Sequence, residues 1–101
     1  MEWTNEIWLI VTEDYYKAKK IIQQQIDMLS EAKIYFEEYI FLQYGSLAKF
    51  SNGLKIYWIS PYDMSICCRI SKLWADNNVD KSLVETIYET MLVGGEDIIW
   101  I

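Results

Sequence analysis

The chain has 101 residues, with fifteen acids, nine bases and no histidine, for a net charge of −6. That length fits one domain and not two, and an apolar content of 52% excludes disorder. The charge disfavours a phosphate-backbone binder or an anionic membrane surface. The missing imidazole removes Ser-His-Asp and Cys-His catalysis together with the commonest metal ligand.

In chain order, residues 6–13 (EIWLIVTE) form an apolar run without alternation, the pattern of a strand covered on both faces. A helix is expected to follow, with Thr12 as N-cap, Glu13 and Asp14 in its first turn, and Val11 against Tyr16 as a hydrophobic staple. Tyr15, Ala18, Ile22, Ile26 and Leu29 supply its apolar face, up to about Ala32. Residues 34–46 read as a strand, a short aromatic helix, or one followed by the other; extended chain over Ile34–Phe36 and then a short helical turn is preferred, because Glu37 and Glu38 interrupt the apolar pattern. Asn52-Gly53 marks a hairpin with both turn residues at positive φ, joining strands Leu47–Ser51 and Leu54–Ser60. Leu54, Ile56 and Trp58 share one face of the second strand, with Lys55, Tyr57 and Ile59 on the other. Pro61 stops it. Residues 62–69 read as a connector. Its adjacent Cys67 and Cys68 lack a metal or redox spacing and read as reduced thiols. A further strand ends at Asp76. Asp80 caps a second helix with Val79 and Val84 as staple, Val84, Ile87, Tyr88 and Met91 as apolar face, and Gly94-Gly95 as stop. Residues 96–101 (EDIIWI) close the chain as a strand. The whole, residues 1–101, is expected to be a single α/β (or α+β) domain. It should hold a mixed, mostly parallel sheet of about five strands, two main helices and the Asn-Gly hairpin.

The strand KLWAD, with a second acid shortly after it, resembles the magnesium-holding strand of P-loop ATPases, phage terminase motors in particular. WLIVTEDYYKAKKIIQQQI is similar to their strand-helix unit after the phosphate loop, and FSNGLKIYWISP to the hairpin before the acidic strand. The resemblance implies a degenerate nucleotide-binding domain. It does not bring hydrolysis with it: no G-x-x-x-x-G-K-[ST] is present, and Asp76 is followed by Asn77 rather than Glu. Read from the residues alone, Asp80 is a helix cap and Asp76 a strand terminator whose carboxylate remains in water. Two carboxylates are too few for calcium or magnesium, so neither metal nor cofactor is expected.

If the first and fourth clear strands run parallel, Glu13, Asp14, Asp63, Asp76 and Asp80 gather at one edge of the sheet. Such a patch could imitate nucleic-acid phosphates toward a basic enzyme. A second candidate surface is the aromatic segment of Tyr35, Phe36, Tyr39, Phe41 and Tyr44 around Glu37 and Glu38, which could instead lie over the core as a lid. The expected function is that of a small acidic, non-catalytic protein of the cytoplasm (the host's, if phage-encoded). It would bind and inhibit or regulate a larger, basic, nucleic-acid-handling protein, as anti-CRISPR or anti-restriction proteins do. An immunity protein or antitoxin is the alternative. No direct nucleic-acid or membrane contact is expected, and an unpaired edge strand would allow a homodimer.

Overall fold

The computed structural model describes residues 3–42, 45–61, 69–85, 92 and 98–101. Within these, the run at the start of the chain becomes β1 (Ile7–Val11), whose Leu9, Ile10 and Val11 are fully buried. This is the outcome expected of a strand with no polar face. It pairs in parallel with β4 (Lys55–Ile59) on one side and with β5 (Lys72–Ala75) on the other. β2 (Phe36–Leu42) and β3 (Gly45–Phe50) extend the sheet antiparallel beyond β4, and β6 (Ile99–Trp100) adds in parallel to β5. The order is β2-β3-β4-β1-β5-β6. The fold is thus a single α/β domain with a mixed sheet. Among the described residues it has six strands where about five are expected, and two of their five pairings are antiparallel.

Alternation along the strands divides the core in two. Ile10, Ile56 and Trp74 point to the face covered by α1 (Tyr15–Glu31), where Ala18, Ile21 and Ile22 meet them. Leu9, Val11, Ile59, Leu73 and Ala75 point to the other face, which holds Val84, next to α2 (Lys81–Leu83). Val79 packs against that second cluster, as a staple to Val84 requires. The apolar face of α1 carries Ile21, absent from the sequence reading, while Tyr15 is 52% exposed.

Three local expectations are corrected. The N-cap of α1 is Asp14, not Thr12: the Asp14 carboxylate accepts from the amides of Tyr16 and Lys17, and no acid lies in the first turn. Residues 36–42 are a strand, the alternative to the preferred helical turn. A bulge between Phe36 and Glu38 absorbs one glutamate, so Phe36, Tyr39 and Phe41 all face α1. The hairpin loop has three residues, not two. The Gly53 amide donates to the Phe50 carbonyl at 3.0 Å, and of Asn52 and Gly53 only Gly53 has positive φ, +95°. This is a turn closed by a glycine bulge. The expected connector around Cys67 and Cys68, the later part of the second helix and Gly94-Gly95 lie outside the described residues.

Candidate functional site

From β1 the chain leaves through α1 toward the β2 edge, and from β5 it leaves through α2 toward β6. The carboxyl ends of β1 and β5 therefore flank the point where the winding reverses, the place where open α/β sheets bind ligands. Thr12 and Asp76 stand there, one residue past each strand, since Val11 is level with Ala75. Both are buried, Thr12 completely and Asp76 to 3% exposure. The Thr12 hydroxyl donates to Asp76 Oδ2 at 2.6 Å and accepts from the Asp14 amide at 2.9 Å. Asp76 Oδ1 accepts from Lys17 Nζ and from the Asn78 amide, each at 2.9 Å. The Thr12 carbonyl is taken by the indole of Trp58 at 2.9 Å.

The Asp76 carboxylate is thus not in water, as the sequence reading had it, but enclosed. Burial pushes its carboxyl pKa up, yet the hydrogen bonds from Thr12, Asn78 and Lys17, with the lysine's charge, outweigh that and hold it below the usual aspartate value. Each carboxylate oxygen already has donors. Asp80 is likewise engaged, capping α2 through the Ser82 amide at 2.9 Å. Among the described residues no three acidic or thiol side chains stand together as metal ligands.

A second locus lies between α1 and the β2 edge. Tyr15 and Lys19 form one wall and Tyr39 and Phe41 the other, over a floor of Ile22, Ser46 and Trp58. Its existence follows from widths. A helix about 10 Å across covers two to three strands spaced about 4.8 Å apart. α1 packs over Ile10 of β1, Ile56 of β4 and Ala48 of β3, so the rings of β2 project past it. Phe36 alone among them folds onto the core, against Phe50. Phe41 is 84% exposed, Tyr16 80%. Tyr15 stands edge-on to Trp58 at 5.6 Å, which fixes that wall. Burial, and to a lesser degree the neighbouring Tyr15, raises the Tyr39 hydroxyl pKa, so the ring stays neutral.

The register places each predicted acid. Glu13 and Asp14, which precede Tyr15, lie with Asp76 and Asp80 at the carboxyl end of β1 and β5. Glu13, Asp14 and Asp80 are exposed there; Asp76 belongs to the interior. Glu38 is level with Lys49, Lys55 and Ile7, at the opposite end of the sheet, and meets Lys49 at 3.7 Å. Glu37 is its exposed neighbour, and Tyr39 follows on the groove wall. Asp63 lies outside the described residues. Sequence reasoning missed Thr12 and Lys17 as partners of Asp76, and the contribution of Tyr15 and Trp58 to the groove. The only signal for the latter was that Tyr15 opens the helix whose face it was assigned to.

No family model matches the chain, and neither a curated protein nor a solved structure resembles it significantly. No described helix is long and apolar enough to cross a membrane.

Proposed function

We propose that this protein is a small acidic, non-catalytic binding module of the cytoplasm that docks on, and inhibits or regulates, a larger basic protein that handles nucleic acid. An inhibitor encoded by a phage or mobile element, of the anti-CRISPR or anti-restriction kind, has this chemistry. The observation that carries the reading is the groove between α1 and β2. Exposed rings of Tyr15, Tyr39 and Phe41 surround it, Glu13 and Asp14 adjoin one wall, and Glu37 and Glu38 precede the other. Exposed aromatic anchors with acids near both walls, beside Lys19 in the lining and in a chain of net charge −6, suit a docking surface for an oppositely charged partner. The test is capture from a host lysate with wild type and with Phe41→Ala, at low and high salt. A basic nucleic-acid-binding protein retained at low salt by wild type and lost by the variant is the expected result. Capture indifferent to both salt and Phe41 would refute it.

A second reading, a degenerate nucleotide-binding domain of terminase-like ancestry, is favoured by one observation. Asp76 stands at the crevice between β1 and β5, where such a sheet would hold a ligand. Its oxygens are already bonded by Thr12, Lys17 and Asn78. Calorimetric titration with ATP and magnesium decides: the docking reading expects no binding heat.

A further inference from the structure

Among the described residues β2 is an outermost strand of seven residues, Phe36–Leu42, paired on one side only, by β3. The opposite edge strand, β6, spans two residues. A row of unpaired amides and carbonyls along a seven-residue edge is a template for one more strand. Large apolar residues are exposed on both its faces: Tyr39 and Phe41 toward the groove, Ile40 away from it. Along the strand the chemistry changes. Glu37 and Glu38 come first, then Tyr39, Ile40 and Phe41.

From this we infer that the basic partner binds by strand addition, an extended segment pairing antiparallel with β2. The inference rests on the docking reading and says how the docking is done. Antiparallel ladders are the more stable kind, and β2 already makes one with β3. The order of residues on β2 then fixes the order on the partner. Its segment runs from apolar residues, which lie across from Phe41, Ile40 and Tyr39, to basic residues, which lie across from Glu38 and Glu37. Alternate apolar side chains of the added strand cover the Phe41 ring and reach the groove beside it. A second copy of this chain does not meet the requirement. It is itself at −6 and offers no lysine or arginine on β2.

Two short synthetic peptides of one composition test this. The forward peptide alternates Val with Thr in its first half and Arg with Thr in its second, and the other has the same sequence reversed. The forward peptide is expected to bind about tenfold tighter in a titration at low salt, since reversal mispairs several cross-strand positions. It should also slow amide hydrogen exchange across residues 36–42. Glu37→Lys with Glu38→Lys, both at exposed positions, should shift preference to a peptide carrying Glu in place of Arg. Equal affinity for the two orders, binding without slowed exchange in β2, or no binding of either peptide overturns strand addition. So does a concentration-dependent dimer that protects the same amides, which would assign the edge to a second copy. If binding leaves the β2 amides unprotected yet is lost in Phe41→Ala, strand addition falls and the docking surface stands. Should Phe41→Ala also leave lysate capture unchanged, both fall.

Discussion

The Asp76 carboxylate has three hydrogen-bond donors around it. A carboxylate at a strand end can hold a metal only if lone pairs remain to offer. Here the Thr12 hydroxyl, the Asn78 amide and the Lys17 ammonium occupy three of its roughly four acceptor sites. The arrangement ties β1, the first turn of α1 and the end of β5 together, so its worth is structural. Thr12→Val keeps the volume but leaves Oδ2 of a buried carboxylate without its donor. A loss of about 1–3 kcal/mol is expected, read as a lower urea midpoint. The pH dependence follows from the direction of the shift. The folded carboxyl titrates below the ordinary value, so folding favours the ionised form. Its stabilisation is complete above the unfolded aspartate pKa of about 3.9 and is lost as pH falls through the folded value. The urea midpoint should therefore hold steady near neutrality and fall in acid below about pH 4. In Asp76→Asn that part of the acid slope should vanish. An unchanged slope in Asp76→Asn would mean that other carboxylates set it.

Among the elements, those with a purely local cause were legible in the sequence and those with a distant one were not. β1 and β5 announce themselves as runs of apolar residues because both their faces are buried. Asn52-Gly53 announces the hairpin because only a flexible residue accepts the +95° φ found at Gly53. Adding a Cβ there would strain the backbone and drive into the Thr4 carbonyl and the Trp3 ring. Gly53→Ala should accordingly cost about 1–2 kcal/mol from the left-handed backbone alone, seen as a lower melting temperature. The cap of α1 was misplaced for a distant reason. Thr12 has the right side chain, but its hydroxyl is spent on Asp76, 64 positions away, and on an Asp14 amide that starts the turn early. The helix then begins at Tyr15 with Asp14 as cap. Asp14→Ala should cost about 1 kcal/mol, measured by urea unfolding; a negligible cost would return the cap to Thr12. β2 escaped notice because its two glutamates break the alternation, and a bulge, which no period-two pattern contains, restores it. The candidate surface was therefore legible in composition, as aromatics around Glu37 and Glu38, while its groove required the width of α1 relative to the sheet.

At the scale of the whole molecule, charge and shape pull in opposite directions. The Cα radius of gyration is 12.9 Å, close to the value of about 12.7 Å typical of a compact chain of this length. A net charge of −6 is confined within that radius, and like charges this close repel. Raising the salt from about 0.01 M to 1 M shortens the screening length from about 30 Å to about 3 Å, so the repulsion fades. The Lys17–Asp76 pair, at 2.9 Å, is partly buried, with the carboxylate enclosed and the lysine partly exposed, and is screened less. Added sodium chloride should therefore raise the melting temperature by a few degrees, the equivalent of a fraction of a kcal/mol. The same salt should weaken attachment to a basic partner, because there the attraction is what is screened. Folding and binding thus respond to one variable with opposite sign. A melting temperature that falls with salt would show that the acids are held by favourable pairs rather than kept as an unspent negative surface, and would remove the electrostatic basis for a basic partner.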